Sequence, residues 1–368
     1  MADYRKMWEE LGMDVELHDQ LCAVLPQAFG DVFLSQENRP DSMDYYNMVV
    51  ADIHGIRPAE LIEHQKKGGK VFGTFCVYVR TRSYLRQMRL QPDYAAVPSS
   101  VPGGEKVLPA NTCPLIKASV GARLDRTCPF FRIADMFIGE TTCDGKKKAW
   151  EILAKDVPLH VMDLPQMKRA KDIKAWAEEI ETFKNVVEEF TGNVVTAEKL
   201  AESIKLINNK RKALERLYNL RKNENLPISG CDVLLISQIA FYDDPARFTQ
   251  MTNKLCDELD QRVKDGVSVV PAGTKRIMLT GTPLAIPNWK LHNIVETSGA
   301  AIVCEEMCTG TRYFENLVDE SKTTLEDQYM ALAERYMKIN CACFTPNEAV
   351  LMTSYVLLRN TKLTVSSM

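Results

Sequence analysis

Six cysteines of this chain stand where a strand-like or Pro-flanked stretch gives way to a turn, a place from which a thiolate can reach a metal. They are Cys76, Cys113, Cys143, Cys308, Cys341 and Cys343. In open parallel sheets, ligand sites form beyond the carboxyl ends of the strands. Thiols that follow different strands can therefore meet at one edge of a sheet and bind a metal centre there.

The first three of these cysteines are widely spaced: Cys113 comes 37 residues after Cys76, and Cys143 comes 30 residues after Cys113. No C-x2-C pair occurs, so neither a zinc ribbon nor a bacterial ferredoxin sequence is present. Three dispersed thiolates suit an iron–sulfur cluster held by three cysteines, whose fourth iron would be open to substrate.

A thiol that only packs in the core is the ordinary alternative for any single cysteine, because free cysteine is among the most buried residue types. Four cysteines are expected to be of this kind: Cys22, Cys128, Cys231 and Cys256. A second metal alternative is a four-thiolate zinc site. Its ligands would be Cys304, Cys308, Cys341 and Cys343.

The stretch Gly139–Leu153, GETTCDGKKKAWEIL, shows why such a turn suits a thiolate. Asp144 can cap the following helix, Gly145 allows close approach, and the helix is predicted to start at Lys146. The free N–H groups and the positive dipole end of a helix start stabilise a thiolate or an anionic cluster. Lys146 to Lys148 are expected to form a solvated helix face, with contact to ligand phosphates or a partner protein as the alternative.

Composition narrows the classes of function. The 368 residues carry a net charge of −3, which does not fit a nucleic-acid-binding surface. The first ten residues are charged and no window approaches eighteen uninterrupted apolar residues, so neither a secretory signal nor a membrane span is expected. Eleven cysteines in such a chain indicate reduced thiols of a cytoplasmic protein. No Walker A or GxGxxG motif is present, so any ATP chemistry would come from a partner.

The order of elements predicts an α/β protein with two flavodoxin-like parallel-sheet units. Buried strands are indicated at Lys70–Val79, in RIADMFIGE, at Val157–Pro165, in TKRIMLT and in AAIVCEE. Four segments are expected: a helical N-terminal segment (1–60), a first α/β unit with the cluster cysteines (61–168), a helical insertion (169–245) and a second α/β unit, truncated at its C-terminus (246–368). A weak repeat, E-x-x-C-x-G at Glu140–Gly145 and Glu305–Gly310, supports two related halves.

Six longer motifs together resemble one family. They are GGKVFGTFCVYV, LPANTCPLIKAS, CPFFRIADMFIGETTCDGKKKAWEIL, GTPLAIPNWKLHNIVE, EEMCTGTRYF and CACFTPN. Over most of residues 1–349, the chain resembles the 2-hydroxyacyl-CoA dehydratase / benzoyl-CoA reductase family, and within it the double-cubane cluster proteins.

The resemblance implies an oxygen-sensitive, cytoplasmic iron–sulfur enzyme of anaerobes. In dehydratase members each subunit of a dimer carries a [4Fe-4S] cluster, and Cys76, Cys113 and Cys143 match its three ligands. An ATP-hydrolysing iron–sulfur activator protein supplies one electron, which passes to the thioester carbonyl of an (R)-2-hydroxyacyl-CoA. The resulting ketyl radical anion expels the hydroxyl group and leads to an enoyl-CoA, so the implied class is a carbon–oxygen lyase. No residue is assigned as a general acid or base.

The double-cubane members imply a different activity, the reduction of small molecules driven by the ATP-dependent activator. There a second cysteine set from the C-terminal half completes an [8Fe-9S] cluster, and Cys308 with Cys341 or Cys343 matches that set. Either a homodimer or a related second subunit is implied. A function of another class, a non-catalytic iron–sulfur electron-transfer protein, stays open.

Two segments depart from the family pattern. After FCVYV the family has Pro-Glu-Glu, whereas residues 80–100 are rich in arginine and lack periodicity. Removing one base from codons for Val-Pro-Asp-Glu-Ile-Val-Phe gives the text of Val79–Leu85, and a shifted frame of the last nine residues also gives family-like text. We hypothesise that residues 80–100 and about 350–368 are frameshifted and that the chain as written does not reach an active form. An unbroken frame on resequencing would refute this hypothesis.

Overall fold

A computed structural model describes residues 4–79, 89–90 and 102–360 of the chain. Within them the strands are β1 (Phe72–Thr74), β2 (Arg89–Leu90), β3 (Met136–Glu140), β4 (Leu159–Met162), β5 (Lys275–Thr280) and β6 (Ala300–Glu306). The arginine-rich departure at 80–100 lies outside the described residues, apart from the two residues of β2.

The α-helices of the described residues are, in chain order, α1 (Arg5–Glu10), α2 (Val15–Cys22), α3 (Leu25–Phe29), α4 (Met43–Ala51), α5 (Ile56–Lys66), α6 (Pro102–Val107), α7 (Pro114–Leu124), α8 (Pro129–Ile133), α9 (Asp144–Leu153), α10 (Ala170–Thr191), α11 (Ala197–Leu220), α12 (Gly230–Ile239), α13 (Pro245–Lys264), α14 (Lys290–Thr297), α15 (Thr311–Phe314), α16 (Leu325–Met337) and α17 (Ala349–Asn360). A π-helical turn, Gly30–Leu34, continues α3. The described part of the first sixty residues is mainly helical, as the sequence predicts. The segment suspected of a frameshift at the C-terminal end contributes α17, and residues 361–368 lie outside the description.

The larger sheet has the strand order β2-β1-β3-β4, and each neighbouring pair is parallel. Phe72 of β1 lies opposite Met136 of β3, and Phe137 of β3 lies opposite Leu159 of β4. Every residue of β1 and β3 is buried, which agrees with their nearly continuous apolar sequences. Because the strands are parallel, their carboxyl ends lie at one edge of the sheet, where the predicted ligand turns begin.

The strands β5 and β6 form a second parallel pair, with Lys275 opposite Ala300 and Thr280 opposite Glu306. Helix α14 connects them, as the sequence predicts, and Gly299 (φ 88°) provides the left-handed residue that follows this helix. The protein is thus mixed α/β with short parallel sheets and many helices, which confirms the predicted class of flavodoxin-like α/β units.

The chain forms two compact units, each drawn from separate parts of the sequence. The first unit holds the described residues of Met1–Val24, Asp52–Lys205 and Val318–Pro346, and it includes the larger sheet. The second unit holds those of Leu25–Ala51, Leu206–Leu317 and Asn347–Met368, and it includes β5 and β6. The four predicted segments are consecutive in the chain, and that division stays a prediction.

Short local signals set several helix starts. Four side chains each accept a hydrogen bond from a backbone N–H in the first turn of the helix that follows: Asp14, Ser229, Asp244 and Thr324. None of the described helices combines the length and the apolar character needed to cross a membrane.

Candidate functional site

Cys76 follows β1 and is half-buried. The preceding residue, Phe75, is buried with its ring centroid 4.6 Å from that of Trp150. The Val79 N–H donates to the Cys76 carbonyl at 3.2 Å and closes a turn. The strand is therefore shorter than the predicted Lys70–Val79, and the packing of Phe75 fixes where the chain turns.

Cys113 and Cys143 occupy the N-cap positions of α7 and α9, and both are exposed. Neither side chain makes a capping hydrogen bond to its own helix. Helix α9 begins at Asp144, so the predicted start at Lys146 was two residues late and Asp144 is the first helical residue rather than the cap. Both cysteines thus adjoin the free N–H groups of a helix start.

The starts of α7 and α9 lie against each other. A Cβ placed on Gly145 would come within 3.0 Å of Ile116 Cδ1, so a glycine at this position favours the close approach. At the same end of α9, the Lys146 ammonium donates to the Phe75 carbonyl at 3.3 Å. The structure therefore brings together the turns that carry three of the predicted ligands: Cys76, Cys113 and Cys143.

A buried ion pair lies beneath the Cys143 turn. Glu140 is fully buried, the side chain of Lys146 is 13% exposed, and the Lys146 Nζ lies 2.5 Å from Glu140 Oε1. The Thr142 hydroxyl donates to the same oxygen at 2.9 Å, whereas Glu140 Oε2 has no hydrogen-bond partner among the described residues. The prediction of a solvated lysine face is wrong for Lys146, because its side chain folds inward onto this carboxylate.

Cys341 and Cys343 belong to the same compact unit as Cys76. Hydrogen bonding to Cys341 raises the pKa of the Cys343 thiol well above its usual range, and burial and the nearby Cys341 and Cys76 thiols act in the same direction. The Tyr78 hydroxyl opposes this rise in the pKa of Cys343. The three thiols therefore form one local group.

The segment around Cys341 is not the strand that the sequence predicts. After α16 ends, the Phe344 N–H donates to the Cys341 carbonyl at 3.2 Å and the Thr345 N–H donates to the Gln166 carbonyl at 2.9 Å. The Phe344 ring lies 5.9 Å from the Tyr78 ring between centroids. The prediction failed because isolated backbone bonds and aromatic packing, rather than a strand ladder, hold this short apolar run.

Cys308 follows β6 in the second unit and is half-buried. Before its turn, Glu305 accepts from Arg221 at 2.8 and 3.0 Å and lies 3.2 Å from His292 Nε2. Burial, the largest single influence, would raise the pKa of Glu305, but Arg221 and His292 together outweigh burial and lower the pKa to about 2. After the turn, a Cβ on Gly310 would lie 2.0 Å from the Glu305 carbonyl oxygen, so glycine is required there.

A buried acid paired with a cation six residues later occurs at both of these cysteine turns. In the first unit Glu140 pairs with Lys146, and in the second unit Glu306 pairs with Arg312, whose Nε lies 2.6 Å from Oε1. In each unit the cysteine lies between the acid and the cation in the sequence. The E-x-x-C-x-G repeat therefore has a structural counterpart, although Glu306 rather than Glu305 takes the part of Glu140.

The structure also contains a cluster around Cys22 that was not predicted from the sequence. Its thiol lies 3.7 Å from His18 Nε2, which in turn lies 2.9 Å from His54 Nδ1. The spacing of four residues between His18 and Cys22 within α2 is the signal that could have found this pair. The other cysteines expected in the core are buried as predicted: Cys128, Cys231 and Cys256.

A cavity of about 510 Å³ opens on the first unit without any of the six predicted ligand cysteines in its lining. Its charged lining is mainly basic: Arg123, Arg126, Arg132 and Lys155, with Asp156 as the acid. Arg123 donates to the Phe131 carbonyl at 2.6 Å and pairs with Asp156. The Asp156 carboxylate therefore neutralises part of the positive charge that lines the cavity.

The sequence of the chain is similar to proteins of one family over most of its length. The family described as 2-hydroxyglutaryl-CoA dehydratase, D-component, matches residues 94–363. A protein of Escherichia coli (strain K12) named "Putative dehydratase subunit YjiM" is 31% identical over 291 residues, which are 78% of this chain and 74% of that protein.

Two enzyme subunits show more distant similarity. The benzoyl-CoA reductase of Thauera aromatica has a subunit that is 22% identical over 62% of this chain and 58% of its own length. The beta subunit of the (R)-phenyllactyl-CoA dehydratase of Clostridium sporogenes is 24% identical over 42% of this chain and 39% of its own length.

Proposed function

The chain belongs to the 2-hydroxyacyl-CoA dehydratase / benzoyl-CoA reductase family, and from this premise we propose that it is an iron–sulfur component that dehydrates an (R)-2-hydroxyacyl-CoA to an enoyl-CoA. The match to the dehydratase D-component and the similarity to a named dehydratase subunit support this reaction. The proposal includes one-electron activation by an ATP-hydrolysing iron–sulfur activator protein and a cytoplasmic location.

The collection of thiols in the first unit carries the proposal. The turns of Cys76, Cys113 and Cys143 adjoin, and Cys341 and Cys343 group with Cys76. Thiolates are the ligands that hold iron–sulfur clusters, so the chemistry of this donor set fits such a cluster. We assign the [4Fe-4S] ligands to Cys76, Cys113 and Cys143.

The residues of the chain would position these ligands and stabilise their charge. When bound, the cluster would supply a low-potential electron and a Lewis-acid iron for the thioester oxygen. The first-turn N–H groups of α7 and α9 favour negative charge beside Cys113 and Cys143. Lys146 bonds both Glu140 and the Phe75 carbonyl, so it ties the turn after β3 to the residue before Cys76.

A second candidate function, reduction of small molecules on a double-cubane [8Fe-9S] cluster, is favoured by one observation. Cys341 and Cys343 group with Cys76, so the first unit holds more thiols than the three that one [4Fe-4S] cluster requires. The resemblance to the double-cubane proteins implies that Cys308 belongs to the second ligand set with Cys341 or Cys343. A non-catalytic electron-transfer protein is the alternative of another class.

We also propose that the chain works with a second subunit, either a copy of itself or a related chain. The matched relatives support this, since each is named as a subunit. The acyl-CoA substrate and the activator protein complete the proposed set of partners.

Iron and acid-labile sulfide analysis of the anaerobically prepared, frame-corrected full chain tests this function. We expect about four irons per chain for a single cubane and about eight for a double cubane. Cys143→Ala is expected to lose iron, whereas Cys256→Ala, which removes a buried thiol of α13, is expected to retain it. A chain without bound iron and sulfide would contradict the proposal.

The response to substrate separates the enzyme from an electron-transfer protein. In the reduced, iron-loaded chain we expect a 2-hydroxyacyl-CoA to change the electron paramagnetic resonance spectrum, because the substrate would contact the open iron. A spectrum that stays the same at saturating substrate would instead support the electron-transfer alternative.

A further inference from the structure

Ligand-type side chains outside the six predicted cysteines cluster in the first unit. His18 and Cys22 lie one turn apart on α2, and His54 lies in the turn Asp52–Gly55. One donor atom from each residue lies within 4.8 Å of the other two, and no further trio of His, Cys, Asp or Glu in the described residues meets this distance. From this geometry we propose that His18, Cys22 and His54 bind a single zinc-type ion.

Two of the three distances between donor atoms are close to those around a tetrahedral ion, and all three atoms lie within 4.8 Å of one another. The Cys22 Sγ lies 3.7 Å from His18 Nε2, and that nitrogen lies 2.9 Å from His54 Nδ1. With Zn–S of about 2.3 Å and Zn–N of about 2.0 Å, tetrahedral angles separate sulfur and nitrogen by about 3.5 Å and two nitrogens by about 3.3 Å. The sulfur–nitrogen pair already fits, and the two rings need to part by only a few tenths of an ångström.

Asp19 lies behind the His18 ring. Its Oδ1 is 3.0 Å from His18 Nδ1, which is hydrogen-bond distance. The other ring nitrogen, Nε2, faces Cys22 and His54. Metal-binding histidines commonly have a carboxylate behind them in this way, which orients the ring and makes it a better ligand.

The protonation of His54 and Cys22 is compatible with metal binding. His54 is 7% exposed, and its Nε2 has no hydrogen-bond partner among the described residues. Burial, helped by His18, lowers the pKa of His54 to about 3, so the ring is neutral. Burial, helped by Asp19, raises the pKa of Cys22 to about 11, so a bound ion would displace the thiol proton.

The surroundings favour an ion that stabilises the fold. The Trp8 ring lies 4.7 Å from the His18 ring and the Phe130 ring lies 6.0 Å from the His54 ring, between centroids, so apolar side chains enclose the imidazoles. Cys22 is half-buried, and three protein ligands would leave the fourth position of a tetrahedral ion to water. Two nitrogens and one sulfur suit zinc rather than magnesium or calcium. The ion would link α2 to the Asp52–Gly55 turn.

Titration of the chelator-treated full chain with Co²⁺ tests the site, because a thiolate on tetrahedral Co²⁺ gives a charge-transfer band. The parent for this test carries Cys76→Ser, Cys113→Ser, Cys143→Ser, Cys308→Ser, Cys341→Ser and Cys343→Ser, so that none of the predicted cluster thiols competes for Co²⁺. We expect one tightly bound Co²⁺ with the band of a single thiolate. Adding Cys22→Ser is expected to abolish that band, and adding His54→Gln to weaken Co²⁺ binding at least tenfold.

The matched control is Cys256→Ser, which changes a buried thiol of α13 and is expected to leave the Co²⁺ spectrum unchanged. Circular dichroism checks that the variants fold, and serine is close in size to cysteine. Zn²⁺ is expected to raise the thermal unfolding midpoint of this parent and to have a smaller effect after Cys22→Ser. Superimposable Co²⁺ spectra and equal stoichiometry with and without Cys22→Ser would overturn the proposal. These measurements involve neither iron nor acyl-CoA. The zinc proposal can therefore be contradicted while the proposed function still stands.

Discussion

At the scale of single residues, burial determines how strongly a charged side chain beside a cysteine turn contributes to stability. Three consecutive lysines follow Gly145, and the sequence gives them the same chemistry. Lys146 is nearly buried on Glu140, whereas Lys148 is 70% exposed and pairs with Glu151 on the helix surface. The ion pair of Lys146 is therefore expected to contribute more to the free energy of unfolding than the ion pair of Lys148.

Replacing Lys146 by methionine is expected to destabilise the first unit by about 3–5 kcal/mol, because Glu140 would remain as a buried charge without its partner. Lys148→Met is the matched control, and the loss of its exposed pair costs at most about 1 kcal/mol. Urea unfolding followed by circular dichroism compares the two. Equal midpoints would show that the pair beneath the Cys143 turn is not important for stability.

Glu305 provides a prediction for the pH dependence of stability. Although burial opposes this change, Arg221 and His292 together lower the pKa of Glu305 from 4.5 to about 2. A depressed pKa stabilises the folded state fully above the unfolded value and ceases to do so as the pH falls through the folded value. We therefore expect the free energy of unfolding to fall between pH 4.5 and pH 2, by on the order of 3 kcal/mol.

Denaturant unfolding at about pH 5 and about pH 2.5 measures this fall. The Glu305→Gln variant has no carboxyl group to titrate, so its stability is expected to be lower at neutral pH and to change less over the same interval. A variant that loses as much stability as the parent protein would assign the acid effect to other groups.

At the scale of elements, the same local device recurs in both units. In each unit a buried strand ends in an acidic residue, and the cysteine lies in the turn that follows. The cationic side chain six residues after the acid forms an ion pair with it. A glycine also follows the cysteine in each turn: a Cβ on Gly310 would lie 2.0 Å from the Glu305 carbonyl oxygen, so glycine is required there, and a Cβ on Gly145 would lie 3.0 Å from Ile116 Cδ1, so glycine is favoured there. The device fixes the direction of the chain at the end of a strand.

Gly310→Ala is expected to disturb the Cys308 turn, because the added Cβ would lie 2.0 Å from a backbone oxygen that cannot rotate away. Gly30→Ala is the control, since a Cβ on Gly30 meets no atom within 4 Å. We expect Gly310→Ala to lower the thermal unfolding midpoint by several degrees and Gly30→Ala to leave it close to that of the parent. Indistinguishable melting curves would contradict the close approach at Gly310.

At the scale of the whole molecule, the compact units are not consecutive stretches of chain. The first unit takes Val318–Pro346 from beyond most of the second unit, and through this segment α16 packs against α10. Cys341 and Cys343 lie in this segment, so they also belong to the first unit. Folding of the first unit therefore depends on a segment made late in the chain.

A fragment of residues 1–205 tests this dependence. It contains α10 but lacks α16, so the apolar face of α10 would lose its partner, with Trp176 fully buried in the intact chain. We expect the fragment to show red-shifted tryptophan emission and no cooperative thermal transition, in contrast to the full chain. Cooperative unfolding of the fragment would mean that the first unit can form without the later segment.

The sequence by itself determined five strands, β1 and β3 to β6, and the helix α14 between β5 and β6, together with the turns at Cys76, Cys113 and Cys143 and the family. These follow from local patterns: a short apolar run predicts a buried strand, and a polar turn before a helical period predicts a helix start. The strand predicted at Cys341 was wrong for the same reason, because an apolar run alone does not show whether a partner strand exists.

Only the tertiary structure decided which side chains meet. It placed Cys341 and Cys343 with Cys76, folded Lys146 onto Glu140, and brought His54 to the His18–Cys22 pair. Such contacts depend on how distant segments pack, and the burial that changes the pKa and the charge balance of each group arises only from that packing. Residue type and spacing determine which chemistry each side chain can perform. The fold determines which other side chains it contacts, and therefore which of those interactions it makes.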